Sequence, residues 1–393
     1  MVRRSGLTRA TMPSPKPLAG ITVVEIGQSV AAPYAGLILS ELGADVIKVE
    51  NPKGGDYARG WGPPFWNGTA SAFHGLNRGK SGITVNFGDL EEAGRLRQLI
   101  IDRADAVIQN LRAGVMQGYG FGAVDLTAAK PSLIYCDLGA FGESGPMSSK
   151  PGYDPLMQAF AGIMSVTGEG GDRPPVRVGV SIVDMGSGMW ATIGILAALF
   201  ERTRTGRGGA VATSLYETAL AWMTVPLASY AANGEIRRPH GSGTAEIAPY
   251  QCFPTRGGWL MIAAGNDNLY RRLCATLGRP ELGDDARFLT NGDRVVNRGI
   301  LLPMIEEITR SWEIEELMAA LDKAGIPNAP LQNVAQVTDH PQTHAVGILQ
   351  QGPEGALPTV GLPLAFDGER SSYERAAPEL GEDNEAVLGT AKT

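Results

Sequence analysis

Apolar positions between residues 21 and 137 fall into short β-branched runs separated by stretches with helical spacing. Ile21-Thr-Val-Val-Glu-Ile26 reads as a strand, and Pro33 to Leu42 as a helix with proline in its first turn and Gly43 just past its end. Asp45-Val-Ile-Lys-Val-Glu50 is a second strand, so the chain opens as a βαβ unit and a parallel sheet is expected. Leu90 to Ile101 is a helix with Glu91 and Glu92 where the helix dipole favours acids. Asp105 to Gln109 and Leu133 to Asp137 are further strands. The residues between, 51–79, are irregular, and loops of that length inside a domain are often functional.

The later half repeats the alternation. Val176 to Val183 reads as a strand and Ser187 to Arg202 as a helix, with Asp184 the only acid from Val176 to Phe200. Gly186, Ser187 and Gly188 follow it and allow a tight turn. An Asp at such a junction is ordinarily an N-cap. The functional alternative is a carboxylate nucleophile at the end of a strand, where open α/β sheets place their chemistry. Pro151-Gly-Tyr-Asp-Pro155 is turn chemistry before an apolar helix, Leu156 to Met164, and Gly209 to Tyr230 gives a strand and a helix. Strands at 251–253 and 259–263, with helices at 269–277, 301–309 and 313–324, form a smaller unit. The expected organisation is a leader (1–16), a large domain (17–232), a linker and small domain (233–330), and a return segment with a loosely held charged tail (331–393).

Composition narrows the function. A formal charge of −7 argues against a nucleic-acid footprint. Cys136, Cys252 and Cys274 are too scattered for a zinc ribbon or disulfide framework and fit a reducing, cytoplasmic setting. The most apolar run, Met189 to Phe200, is too short to span a bilayer, so no membrane partner is expected. The turn Gly27-Gln-Ser-Val-Ala-Ala lacks G-x-G-x-x-G, which counts against a nicotinamide oxidoreductase. Gly79-Lys80-Ser81 would end a phosphate-binding loop, but His74 stands where its first glycine is required. His340 and His344 have metal-ligand spacing, yet Pro341 between them favours a loop.

Nine short pieces, in order, resemble class III CoA-transferases, the family of formyl-CoA transferase, carnitine CoA-transferase and the bile-acid-inducible F protein. They are Leu18-Ala-Gly-Ile with Ala32-Pro33; Leu42 to Glu50; Gly55-Asp56 with Arg59-Gly-Trp61; Asn77-Arg-Gly-Lys80; and Gln109-Asn-Leu-Arg112. Gly152-Tyr-Asp154, Asp184-Met-Gly-Ser-Gly188, Thr205-Gly-Arg-Gly208 and Gly325-Ile-Pro327 complete the set. The resemblance covers roughly Pro17 to Gln350. It implies an α/β fold: a Rossmann-like, parallel-sheet large domain built from both chain ends, a smaller α+β middle domain, and an interlocked homodimer. It further implies no permanently bound cofactor, with coenzyme A thioesters and free carboxylic acids as substrates.

By the same resemblance Asp184 is the nucleophile, carrying first an acyl group and then CoA as an aspartyl thioester, with Asp154, Gly186 and Gly188 in support. Ala31, Asn51, Val85, Asn110, Arg112, Lys150 and Tyr153 match CoA-lining positions, while Val30, Arg59 and Trp61 match the acyl pocket. Val30 replaces the catalytic glutamine of formyl-CoA transferase, and Gly88 and Gly118 replace two of its CoA-contacting cations. The Arg59–Phe65 loop is more similar to that of succinyl-CoA–glutarate transferases, which points to succinyl-CoA and a dicarboxylate acceptor, with Arg59 or Arg177 holding the second carboxylate. The related α-methylacyl-CoA racemases need a histidine where this chain has Tyr153, and a phenol is a poor base at neutral pH.

Overall fold

A computed structural model describes residues 16–389, which divide into two units. The first takes the chain up to Ala161, Gly179–Trp222 and everything from Pro341; the second takes Gly162–Val178 and Met223–His340. Most of the expected leader therefore lies outside the described residues. The small unit also claims residues 162–178, 223–232 and 331–340, which the sequence expectation gave to the large domain.

In the first unit six strands form one all-parallel sheet: β1 (Thr22–Ile26), β2 (Asp45–Glu50), β3 (Ser81–Thr84), β4 (Ala106–Gln109), β5 (Ile134–Gly139) and β6 (Gly209–Ser214). Their order is β3-β2-β1-β4-β5-β6, and Val24 of β1 lies between Ile47 and Val107. This is the Rossmann order, whose direction of winding reverses between β1 and β4. The central strands are nearly continuous apolar runs because both faces are covered. The main helices are α1 (Ala31–Glu41), α2 (Ser71–Asn77), α3 (Leu90–Arg103), α4 (Asp154–Phe160), α5 (Ile182–Thr205) and α6 (Leu215–Trp222).

Two expectations fail in instructive ways. Residues 176–181 are not a strand; Val176 and Val180 are exposed and α5 begins at Ile182. β-branched residues form strands by packing on neighbours, and this run has no pairing partner. The tail is not loose either. β3 is an edge strand, and Asp383 and Asn384 accept the Gly82 and Thr84 amides at 2.7 and 2.8 Å, while Gly82 O accepts the Asp383 amide at 2.9 Å. Arg375 Nη2 donates to both Asp383 carboxylate oxygens, at 2.8 and 2.7 Å. The chain's last segment thus covers an edge that would otherwise invite pairing with another chain.

Helix α5, with 24 residues, is long and apolar enough to cross a membrane by length and composition. Met189 to Phe200, judged too short for that, is only its middle. One side is buried through Gly188, Ala191, Thr192, Ile195 and Leu199, while Met189, Trp190, Ile193 and Phe200 are exposed. Gly188 sits where a Cβ would come within 2.6 Å of the Ala31 carbonyl oxygen, so only glycine lets α5 lie this close to α1.

The second unit has a three-stranded antiparallel sheet, with strand 258–263 between 250–255 and 328–330. Helices 267–276, 298–309 and 314–323 pack on it around Phe253, Leu260, Tyr270 and Leu317. Arg294, fully buried there, donates to the carbonyls of Ala248 and Phe288 and pairs with Asp267 at 2.8 Å. Pro341, expected to break helical structure, instead starts a short helix in the first unit, Pro341–Val346. No group of three or more His, Cys, Asp or Glu among the described residues is arranged to hold a metal.

Candidate active site

The switch between β1 and β4 opens a cleft of about 430 Å³ at the carboxyl ends of the strands, lined among others by Gln28, Ser29, Ala31, Trp61, Asn110, Arg112, Lys150, Tyr153 and Asp184. Open α/β sheets bind ligands at such a point. A second pocket of about 250 Å³ shares Gln28 and Leu111 with it and is lined by Asn51, Lys53, Tyr57 and Phe87.

Asp184 occupies the third position of α5 and is not its N-cap. Ser181 holds the cap position without a side-chain bond. The cap comes from thirty residues earlier: the Asp154 carboxylate accepts the Val183 and Asp184 amides at 2.7 and 3.2 Å, and its other oxygen accepts Gln158 Nε2 at 2.6 Å. Asp154 opens α4 and is 2% exposed, so it is not merely turn-forming. Burial, and next the Asp154 charge, push the Asp184 carboxyl up to about 7.

Gly186 and Gly188 lie inside the helix, where its i→i−4 pattern uses their amides. They do not form a turn and are not free as oxyanion donors. Gly186 instead admits Trp222, whose ring would lie 2.8 Å from a Cβ there.

Of the remaining candidates, Ala31, Asn110, Arg112, Lys150, Tyr153 and Trp61 reach the cleft, and four do not line it. Asn51 lines the second pocket; Val85 is 1% exposed inside the core; Val30 is buried at the head of α1. Arg59 departs from the acyl-pocket expectation most clearly. Glu50 takes its Nε and Nη2 at 2.9 and 2.7 Å, and its guanidinium lies 3.8 Å from the Phe73 ring. Asn110 spends its amide on the backbone of Gln28, accepting its N–H and donating to its carbonyl, both at 2.9 Å. Arg112 and Lys150 are exposed and make no ion pair with a described residue, as suits phosphate contacts. Arg177 is exposed and belongs to the second unit.

The cleft also contains Gln28, Ser29 and Asp137, none of them a candidate from sequence. Burial raises the Asp137 carboxyl. Gln28 and Ser29 follow the first strand, where a parallel sheet places ligand contacts; that position is the sequence signal for them.

This chain belongs to CoA-transferase family III, which it matches over residues 18–384. It is 35% identical over 392 residues to the succinate–glutarate CoA-transferase of Agrobacterium fabrum, covering 97% of this chain and 98% of that one. It is 33% identical to the succinyl-CoA:mesaconate CoA-transferase of Haloarcula marismortui, covering 95% and 96%. Among solved structures, a CAIB/BAIF family protein from Brucella suis superposes with a TM-score of 0.85 at 38% identity, covering 95% of this chain and 98% of the other. The protein is accordingly a class III CoA-transferase acting on CoA thioesters and carboxylates.

Proposed function

We propose that the chain moves CoA from succinyl-CoA to a dicarboxylate acceptor through an aspartyl-CoA thioester on Asp184. The Asp184 carboxylate attacks the thioester carbonyl, the C–S bond breaks, and CoA leaves as thiolate, giving a mixed anhydride of Asp184 with the succinyl group. The thiolate then attacks the Asp184 carbonyl, releasing succinate and leaving aspartyl-CoA. The acceptor carboxylate attacks that thioester, CoA leaves again, and thiolate attack on the acceptor carbonyl yields the new acyl-CoA and free Asp184. Every step is acyl transfer between carboxylate and thiolate, and no redox partner is needed.

The observation that carries this reading is the placement of Asp184 in the cleft with a second acid behind it. Burial and Asp154 both penalise the ionised side chain. Each covalent intermediate makes Asp184 neutral, so acylation relieves that penalty and the site favours the bound intermediates. The dicarboxylate part rests on the glutarate and mesaconate relatives. With Arg59 committed to Glu50, Arg112 and Lys150 are the cations left along the cleft.

The reading includes a homodimer, supported by the exposed apolar side of α5, and a reducing, cytoplasmic setting, supported by three free cysteines. Scattering across a dilution series reads the first, with about twice 41.4 kDa expected. The function is tested by transfer from succinyl-CoA to succinate-, glutarate- and itaconate-like acids, beside carnitine, formate and bulky monocarboxylates. Turnover confined to monocarboxylates or carnitine would remove the dicarboxylate assignment and leave the family unchanged.

A further inference from the structure

Three of the nine sequence pieces contribute no group to the chemistry above, yet they converge on one spot. Lys48, Glu50, Asp56, Arg59 and Lys80, with Glu25 of β1, form a buried cluster of three cations and three carboxylates. Lys48 Nζ lies 3.1 Å from Glu25 and 2.9 Å from Asp56, and Lys80 lies 2.7 Å from Glu25; all four side chains are fully buried. Arg59 pairs with Glu50 at 2.7 Å, and Glu50 accepts the Asp56 amide at 2.8 Å.

The outlet of this cluster is the turn lining the cleft. Asp56 Oδ1 accepts the Ser29 amide at 2.9 Å, and Lys48 Nζ donates to the Gly27 carbonyl at 3.0 Å. Between those two anchors Ser29 is held at φ 69°, left-handed backbone that a serine enters only when its surroundings impose it. Val30 and Ala31 follow directly, Ala31 forms part of the cleft wall, and its carbonyl lies against Gly188 of the helix that carries Asp184.

We propose that Asp56, poised by Lys48, is a positioning residue for CoA transfer: it holds the Gln28–Ser29–Val30 turn in the shape that places the substrate against Asp184. The inference rests on the transferase reading, and it explains why the cluster is ionic. A neutral side chain in place of Asp56 could accept one amide, but it could not also anchor the Lys48 ammonium that fixes Gly27.

The test uses the full chain, with succinyl-CoA and glutarate as substrates and amide hydrogen exchange of the peptide spanning Gln28 to Ala32 as a second readout. Asp56→Asn is expected to speed exchange at Ser29 and lower kcat about tenfold or more. Glu41→Gln, which breaks the separate buried pair with Arg78, is expected to lower the melting temperature and leave kcat unchanged. Adding Ser29→Gly to Asp56→Asn is expected to restore kcat at least threefold over Asp56→Asn, since glycine takes up positive φ without an anchor. Should Asp56→Asn not fold, Ser29→Val leaves the cluster intact, strains the turn, and is expected to lower kcat to a similar extent. Wild-type exchange and kcat in Asp56→Asn, no gain from Ser29→Gly, or wild-type kcat in Ser29→Val would each overturn the proposal. A wild-type chain that transfers no CoA would instead defeat the substrate reading, and the exchange of the turn would still decide this one.

Discussion

Asp154 Oδ2 accepts the backbone amide of Asp184 at 3.2 Å, so one acid caps the helix that presents the other. The cap offsets the cost of burying Asp154, because helix N-termini favour negative charge. Its charge simultaneously discourages ionisation of Asp184. One carboxylate thus holds the backbone of the proposed nucleophile and tunes its proton.

Asp184→Asn and Asp184→Ala are each expected to lose at least ~10³-fold in transfer, the scale of removing a covalent nucleophile. Both should fold, since the cap belongs to Asp154. Incubating wild type with acyl-CoA should add mass to the Asp184 peptide, and hydroxylamine should remove it. Full activity in either variant would end the covalent mechanism.

Attack requires the ionised carboxylate, so kcat/KM should rise with pH through about 7, the value to which Asp184 is pushed. Asp154→Asn removes the second cause of that shift and should move the midpoint to lower pH. A midpoint unchanged in the variant would show that burial alone sets it.

The same shift has a stability side. The folded chain binds this proton more tightly than the unfolded one, so ionising Asp184 costs stability as pH rises from about 4 to 7, and the cost is fully present above that. Asp184→Asn should therefore stabilise the protein at pH 8 by on the order of 2 kcal/mol, with little gain at pH 4. Denaturant midpoints at the two pH values read the difference.

Glu25 bridges Lys48 and Lys80 in the interior. Glu25→Gln would leave the two ammonium groups without their shared counter-charge and should cost ~3–5 kcal/mol in urea unfolding. Asp285→Asn, which breaks an exposed pair with Arg287, should leave the urea midpoint nearly unchanged, because water screens that pair.

Glycines of two helices should respond oppositely. Gly188→Ala puts a methyl against backbone at 2.6 Å and should destabilise by ~1–3 kcal/mol while lowering activity through α1. Gly94→Ala in α3 meets nothing within 4 Å and should stabilise by up to about 1 kcal/mol.

β1, β2, β4 and β5 were legible in the sequence because their apolar runs are bounded by turn residues and buried on both faces. β3 was not: Ser81-Gly-Ile-Thr84 offers one strong strand former, and its pairing is completed by residues three hundred positions away. Residues 176–181 erred in the other direction, with strand-like composition and no neighbour. Asp184 stood out as a lone acid in an apolar stretch, but its place in the helix depends on Asp154, a contact no local pattern records. Arg59 looked available for substrate because sequence carries no trace of Glu50 folding back onto it.

The clasp of Asp383 and Asn384 on β3 also sets an order of events during synthesis. β3 leaves the ribosome some 300 residues before the groups that close its open side. Over that interval a nascent sheet carries an unguarded margin, in the company of every other nascent copy. A chain stopped short of Asp383 would keep the whole proposed catalytic apparatus and still lack the latch that keeps its sheet to itself.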